Sequence, residues 1–174
     1  DKANIPVNEI IKLSNFHPRV NILHPGIGVG GHCIPVDPYF LIDKYPDETN
    51  LILEARKVND FKTINVLNAI TKKIDTYELQ YNKKSSIICL GLSYKIDSND
   101  LRESPAKKIY DELIDKNYLV SSFEPNILKH KPTEEEIYKV ISKYDIIIKL
   151  VNHKSFRFIN QKLISLPKIL ITFD

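Results

Sequence analysis

Apolar residues in the first half of the chain recur at helical spacing. Between Pro6 and Phe16 they predict a short helix with a buried side made of Val7, Ile10, Ile11 and Leu13. The stretch from about Asp47 to Gln80 contains no Gly or Pro and predicts one long helix, or two with a slight bend. Its apolar stripe comprises Ala55, Val58, Phe61, Ile64, Leu67, Ile74 and Tyr77. About 30 helical residues span roughly 45 Å, which exceeds what a small domain covers. We therefore expect this helix to bridge two units or to pair with a second chain.

The period of the pattern changes after a polar break at residues 81–84. Short apolar runs at 86–92, 118–123, 145–151 and 169–173 predict strands, and amphipathic segments at 104–116, 133–143 and 160–164 predict helices. Ser104 and Thr133 are suited to cap their helices, and Pro105 to occupy a first helical position. Strands that alternate with helices indicate a parallel, doubly wound sheet.

These patterns predict an α/β protein in two parts. Residues 1–82 form a helical region with a long connecting helix, and residues 83–174 form a Rossmann-like parallel-sheet domain. A short helical turn is expected from Pro38 to Tyr45, after an extended connector from Arg19 to Leu23. Because the chain begins just before a helix and stops at a strand end, we expect it to be part of a longer protein.

Composition narrows the class of protein. Of 174 residues, 43% are hydrophobic and 27% charged, which is typical of a globular domain. The net charge of +3 comes from scattered lysines, so we expect no nucleic-acid partner. No apolar run approaches the roughly 20 residues that cross a bilayer, and no leader peptide is recognisable. We expect two reduced cysteines, no membrane partner and a cytoplasmic location.

Four of the five glycines lie in one loop, from Gly26 to Gly31. Three of them match the G-x-G-x-x-G dinucleotide fingerprint, which works only between a buried strand and a helix. Pro25 before the loop and Pro35 and Pro38 after it exclude that context. We expect instead that the glycines let a small polar ligand lie against exposed backbone N–H groups beside Cys33, with Val29 and Gly30 as candidate substrate-binding residues.

Cys33 follows these glycines and is the candidate nucleophile. A thiol beside backbone donors suits attack on a carbonyl carbon, whereas Cys89 lies in an apolar strand and is expected in the core. Asp37 is either a turn-capping residue or a base that positions water. Adjacent residues in extended backbone point to opposite sides, so we expect no pairing between His32 and Cys33. The spacing of the His, Cys and Asp residues matches no zinc pattern, and we predict no metal site.

A second polar segment, residues 94–104, follows the first predicted strand of the sheet. It combines the carboxyl end of a parallel strand with a helix N-terminus, and both features favour an anionic ligand. Lys95 and Arg102 add charge suited to phosphate. The alternative is a solvated loop with internal ion pairs, since Asp97, Asp100 and Glu103 are also present.

Two motifs together are specific to one family. Gly-Val-Gly-Gly-His-Cys-Ile-Pro-Val-Asp-Pro-Tyr-Phe at 28–40 and Gly-Leu-Ser-Tyr-Lys-Ile-Asp-Ser-Asn-Asp-Leu-Arg-Glu-Ser-Pro-Ala at 91–106 resemble the UDP-glucose/GDP-mannose dehydrogenase family. The segments 17–23 and 123–127 resemble its UDP-N-acetyl-D-mannosamine branch. The chain departs from family patterns at Val36, where many UDP-glucose enzymes have Lys, and at Asn152, where this branch often has Asp.

The resemblance implies an activity and a set of site residues. It implies NAD as cofactor, a UDP-sugar as substrate, a homodimer, and oxidation of the sugar C6 alcohol to a uronate through a thioester on the cysteine. The region before residue 83 then corresponds to the end of the central domain, and residues 83–174 to most of the UDP-binding domain. Carried over by position, the resemblance implies catalytic roles for Cys33 and Asp37, a substrate contact from Lys95, and a cofactor contact from Arg102. It also implies that Arg19 reaches the substrate site of the neighbouring subunit.

Three alternatives stay open at this stage. The substrate could be UDP-N-acetylglucosamine or UDP-glucose. The chain could be a catalytically inert module for nucleotide-sugar binding and dimerisation. A cysteine hydrolase is the most distant alternative. Because the resemblance implies that the NAD-binding domain lies outside these residues, we expect the 174-residue chain alone to be inactive.

Overall fold

A computed structural model describes residues 5–162 and 168–173. The helices and strands follow in this order along the chain: α1 (Val7–Ser14), α2 (Asp37–Lys44), α3 (Asn50–Tyr81), β1 (Ser86–Leu90), α4 (Pro105–Asp115), β2 (Leu119–Phe123), α5 (Glu134–Ile141), β3 (Ile146–Lys149), α6 (Ile159–Lys162) and β4 (Ile169–Thr172). Single 3₁₀ turns lie at Pro125–Ile127 and Lys154–Phe156. The predicted elements are therefore confirmed, except that the end of the predicted helix 160–164 lies outside the described residues.

The predicted buried side of α1 is wrong in most positions. Only Ile11 is buried, whereas Val7, Ile10 and Leu13 are 48%, 45% and 68% exposed. An amphipathic pattern identifies the apolar face of a helix, but it does not say what covers that face. The described part of the chain covers that face at Ile11 and leaves the other three positions largely exposed.

Helix α3 is one continuous helix of 32 residues, which ends at Asn82 in the left-handed conformation. Its apolar stripe divides into two halves. The C-terminal half, including Leu67, Ile74 and Tyr77, is buried in the core of the sheet domain. The N-terminal half is exposed, with Phe61 and Ile64 at 61% and 52%. The helix thus anchors in one unit and extends beyond it.

The four described strands form one parallel sheet in the order β2-β1-β3-β4. Alternate residues of each strand enter two different cores. On one face, Ile87 and Cys89 pack with α3 and α4. On the other face, Ile88 and Leu90 pack with α5 and the segment around Phe156. Burial on both faces explains the continuous apolar runs of β1 and β3, and the α/β fold class is confirmed.

The strand order places a switch point at the carboxyl edge of the sheet. The chain leaves β1 toward β2 on one side and later returns to β3 on the other. Loops that diverge in this way leave a crevice between them, where open α/β sheets bind ligands. The loops after β1 and β3, which carry Lys95 and Asn152, flank this crevice.

Helix capping follows the sequence signals. Ser104 Oγ accepts a hydrogen bond from Lys107 N at the start of α4. Thr133 and Glu136 form a reciprocal capping box at the start of α5. Each cap satisfies backbone donors that a helix N-terminus would leave unpaired.

Even α3, the longest helix, is too polar to cross a bilayer, and no other helix within residues 5–162 and 168–173 meets the requirement.

Candidate active site

The glycine-rich loop is wedged between α3 and the segment that leads into α4. A Cβ on Gly30 would lie 2.4 Å from Glu103 O and 2.7 Å from Pro105 Cδ. Gly31 has a φ of +108° and faces the Tyr94 ring. Gly30 has no room for a Cβ, and Gly31 has a φ that residues with a side chain rarely adopt, so both positions require glycine. The structure therefore gives these glycines a packing role, which differs from the predicted approach of a ligand to the backbone.

Hydrogen bonds attach the loop to its surroundings. Val29 N donates to Asn59 Oδ1 (2.7 Å), and Asn59 Nδ2 donates to Val29 O (3.2 Å). Gly31 N donates to Arg102 O (3.2 Å). Two of the N–H groups expected to face a ligand are thus used within the chain. Val29 remains 49% exposed, whereas Gly30 is buried, which does not support the predicted direct contact of Gly30 with substrate.

The loop does not have the setting of a dinucleotide fingerprint. Residues 21–26 before it are irregular, and a bend and turn at 31–36 separate it from α2. The interpretation made from the flanking prolines is confirmed.

Cys33 is exposed, and its Sγ lies 2.9 Å from Nδ1 of His32. The prediction that these neighbours do not pair is wrong. It assumed extended backbone, but residues 31–33 form a bend that turns both side chains to one side. His32 is therefore placed to accept the thiol proton.

Asp37 begins α2 close to Cys33. Its backbone N donates to Cys33 O at 2.8 Å, and both residues line a small cavity of about 370 Å³ together with Ile34 and Pro38. The Asp37 side chain belongs to an exposed residue of the first helical turn. Its carboxylate is therefore available both to the helix start and to a water molecule in that cavity.

The loop after β1 brings a charged pair to the cysteine loop. Arg102 Nε and Nη2 donate to the Asp100 carboxylate, with a shortest distance of 2.6 Å. These hydrogen bonds lower the pKa of Asp100 to about 2. The same bonds raise the pKa of Arg102, with smaller contributions from Tyr94 and Cys33. The Asp100–Arg102 pair lies where the two loops meet, since Arg102 O accepts from Gly31 N, two residues before Cys33.

Lys95 lies on the other side of this junction. It is exposed, and its Nζ is 5.3 Å from the centre of the Tyr94 ring. With Tyr94, His24, Gly28 and Asn152 it lines a cleft of about 860 Å³ between the N-terminal segment and the carboxyl edge of the sheet. Cys33 and Asp37 do not line this cleft. The predicted substrate lysine and the predicted nucleophile thus line two different cavities of this chain.

Arg19 stands apart from both cavities. Its residue is exposed, and its backbone N donates to His17 Nδ1 at 3.3 Å. The structure brings it to none of the other predicted site residues.

Sequence reasoning missed the residues behind the Lys95 loop. Glu124 and His153 are buried at the ends of β2 and β3 and contact each other at 3.1 Å. Glu124 directly follows β2 and His153 lies in the loop after β3, so their place at the carboxyl ends of parallel strands was an available signal.

Cys89 is fully buried, and burial raises the pKa of its thiol to about 12. The prediction of a core cysteine is confirmed. Within residues 5–162 and 168–173, no three His, Cys, Asp or Glu side chains cluster in a way that could hold a metal ion.

Comparison with known proteins identifies the two regions. Residues 1–61 match the central domain of the UDP-glucose/GDP-mannose dehydrogenase family, and residues 88–174 match its UDP-binding domain. The chain belongs to this family. The resemblance drawn from the two motifs is thereby confirmed.

Individual relatives are similar over most of this chain. A UDP-N-acetyl-D-mannosamine dehydrogenase of Campylobacter jejuni is 43% identical over 90% of the chain, and an NDP-N-acetyl-D-galactosaminuronic acid dehydrogenase of Ralstonia solanacearum is 41% identical over 90%. These alignments cover 39% and 37% of the two relatives. The solved UDP-D-ManNAc dehydrogenase of Pyrococcus horikoshii has a TM-score of 0.75 and 32% identity, over 99% of this chain and 41% of that one. The chain thus spans about two fifths of the length of its relatives.

Proposed function

We propose that this chain works within an NAD-dependent dehydrogenase that oxidises UDP-N-acetylmannosamine to UDP-N-acetylmannosaminuronate. The observation that carries the proposal is the junction of two loops: the loop that ends in the exposed Cys33 is hydrogen-bonded, through Gly31 N to Arg102 O, to the loop that presents Lys95 and Arg102. A nucleophile beside cations at the carboxyl edge of a parallel sheet fits a reactive carbon attached to an anionic nucleotide. The names of the similar proteins support this substrate class.

The residues of this chain then have the following roles. Lys95 binds the anionic substrate in the cleft, and Val29 contacts it from the glycine-rich loop. His32 accepts the proton of Cys33, and the thiolate forms a bond to the aldehyde carbon derived from the C6 alcohol. The aldehyde oxygen takes a proton from His32, which gives a thiohemiacetal. Loss of a hydride from its carbon and of the proton from its hydroxyl group gives a thioester. Asp37 takes a proton from water as the water oxygen attacks the thioester, the carbon–sulfur bond breaks, and the thiolate leaves.

NAD supplies the acceptor for the hydride released in each oxidation. Arg102 fits a contact with its phosphates, because two thirds of the Arg102 side chain is exposed. Its pairing with Asp100 holds the guanidinium in place and leaves only part of its charge for the cofactor. Among the described residues, no strand–loop–helix fingerprint cradles a dinucleotide, so Arg102 is the one contact we assign.

The same proposal includes the division of the chain and its assembly. We place the boundary between the central and UDP-binding regions at residues 82 and 83, where Asn82 ends α3. The exposed half of α3 supports a homodimer, in which Arg19 would complete the substrate site of the second subunit. We also expect the enzyme to work in the cytoplasm.

The test is to incubate the full-length gene product with NAD and a panel of UDP-sugars while recording NADH. We expect fastest turnover with UDP-N-acetylmannosamine and two NADH per sugar, whereas the 174-residue chain alone should bind UDP and form no NADH. If UDP-N-acetylglucosamine, UDP-glucose or an N-acetylgalactosamine nucleotide is oxidised faster, that sugar nucleotide is the substrate and the proposed one is wrong. If the full-length protein binds UDP-sugars without turnover, the inert binding module is favoured. If it cleaves esters without NAD, the cysteine hydrolase is favoured.

A further inference from the structure

Three loops meet behind the segment that carries Lys95. They follow β1, β2 and β3 and contribute Ser93, Glu124 and His153. All three residues are buried, at 1%, 4% and 0% exposure. A buried ionisable side chain is costly unless it is fully hydrogen-bonded, so the partners of each group show what holds the cluster together.

Glu124 accepts hydrogen bonds from all three loops. Its Oε2 accepts from Leu92 N (2.7 Å) and Ser93 N (3.1 Å), and its Oε1 accepts from the backbone and side-chain nitrogens of Asn126 (3.1 and 3.0 Å). Burial of the carboxyl opposes ionisation, but its hydrogen bonds to His153, Leu92 and Asn126 outweigh that effect and lower its pKa. A charged carboxylate thus accepts from four N–H groups and faces His153.

The contacts of His153 define its tautomer. Asp97 N, which can only donate, points at Nδ1 from 2.9 Å. Asn126 Nδ2 also lies 3.2 Å from Nδ1. Nδ1 is therefore the unprotonated nitrogen, and the ring proton is on Nε2, which donates to Glu124 Oε2 at 3.1 Å. Glu124 orients the ring, and the ring accepts from the backbone of Asp97.

Lys95 lies between two anchors of this cluster. Before it, Ser93 Oγ donates to Lys95 O at 2.8 Å, while Ser93 N is bound by Glu124. After it, Asp97 has a φ of +57° and is held through its N–H by His153. The Asp97 carboxylate also accepts from Lys154 N at 3.0 Å. A non-glycine residue in the left-handed region is strained, so these bonds hold a conformation that the loop alone does not favour.

We propose that His153, oriented by Glu124, is a positioning residue for substrate binding, which fixes the backbone on both sides of Lys95 and so presents its ammonium group to an anionic nucleotide. The inference rests on the proposed function only in assigning Lys95 to the substrate. His153 itself touches no substrate, because its side chain is fully buried.

Two amide variants of the full-length gene product test separately the two hydrogen bonds of the His153 ring, to Asp97 N and to Glu124. His153→Asn places an oxygen near the position of Nδ1 and keeps an acceptor for Asp97 N, whereas His153→Gln reaches Glu124 but lacks that acceptor. With UDP as the calorimetric probe, we expect His153→Gln to weaken binding about tenfold and His153→Asn less than about threefold. Thermal unfolding of each variant verifies that it is folded.

A double-mutant cycle with Lys95→Ala tests whether His153 acts through Lys95. We expect Lys95→Ala alone to weaken UDP binding roughly ten- to a hundredfold, and His153→Gln to add less than about twofold in that background. Additive losses, or unchanged binding by His153→Gln, would overturn the inference while leaving Lys95 in the site. Unchanged binding by Lys95→Ala would instead contradict the proposed function.

If His153→Gln does not fold, Ser93→Ala gives the same information. It removes the hydrogen bond from Ser93 Oγ to Lys95 O (2.8 Å) and the longer contact of Ser93 Oγ with His153 Nε2 (3.4 Å), and it keeps Ser93 N on Glu124. We expect about a threefold loss of UDP affinity that disappears in the Lys95→Ala background. A loss that persists there would count against the positioning role.

Discussion

Two cysteines with opposite surroundings show how a single residue acquires its chemistry. Cys33 is exposed in a bend beside His32, whereas Cys89 is fully buried in β1. Burial raises the pKa of Cys89 to about 12, which keeps its thiol protonated and unreactive near neutral pH. The chemistry we assign to Cys33 therefore depends on its loop rather than on its residue type.

The two cysteines, Cys33 and Cys89, allow a matched test in the full-length gene product. Cys33→Ser replaces the nucleophile with a weaker one and should lower uronate formation on the order of 10³-fold or more. Cys89→Ser puts an unpartnered hydroxyl in the core and should lower the free energy of unfolding by about 1–3 kcal/mol with little change in turnover. Activity assays and urea unfolding of both variants provide the comparison. Equal losses of turnover in two stably folded variants would contradict the assignment.

At the scale of elements, one aspartate joins the starts of two strands to the end of α3. Asp145 Oδ2 accepts from Ser86 N and Oγ at 2.9 Å each, and Oδ1 lies 2.7 Å from Lys83 Nζ. Burial opposes ionisation of this carboxyl, but its hydrogen bonds to Lys83 and Ser86 lower its pKa to about 2 from an ordinary value of 3.8. The carboxylate thus fixes where β1 and β3 begin relative to each other.

The lowered pKa gives a pH dependence of stability. A carboxyl that is more acidic in the folded state stabilises the fold fully above pH 4, and this contribution is lost as the pH falls toward 2. We expect Asp145→Asn to lower the free energy of unfolding by about 2 kcal/mol at pH 7, with a smaller difference at pH 3. Urea unfolding at both pH values checks this, with Asp43→Asn on the exposed side of α2 as the control. A difference that does not shrink at pH 3 would show that the charge is not responsible.

At the scale of the whole molecule, α3 buries only half of its apolar stripe within the described residues. Phe61, Ile64 and Val58 are all more than half exposed. Arg56 lies in the same half and is buried, yet its Nε has no hydrogen-bond partner among the described residues. Exposed apolar groups beside an unsatisfied buried donor are expected where another surface completes the packing.

We therefore expect Phe61→Asp with Ile64→Asp to convert a dimeric full-length protein into monomers. Burying these two side chains contributes about 1.5–3 kcal/mol each, and four aspartates in one interface would repel each other. Light scattering at micromolar concentration measures the oligomeric state. Leu79→Asp, at an exposed position near the end of α3, is the control. Leu67 is unsuitable because it belongs to the core. A monomeric unmutated protein would contradict the dimer and leave Arg19 without its proposed role.

The sequence by itself determined the elements, the fold class and the family. Local patterns were sufficient: apolar periodicity defined α3 and the strands, Ser104 and Thr133 marked helix starts, and two contiguous motifs identified the dehydrogenase family. Such signals depend on neighbours within a few positions, or on residue order alone, and can be read before the chain folds.

Only the tertiary structure decided which surfaces and side chains meet. It divided the α3 stripe into a buried and an exposed half, because burial depends on what packs against a face. It paired Cys33 with His32, because a bend replaced extended backbone. It also brought Glu124 and His153, which are 29 residues apart, to the loop of Lys95. The hydrogen bonds within that cluster form across three strand ends that only the sheet places side by side.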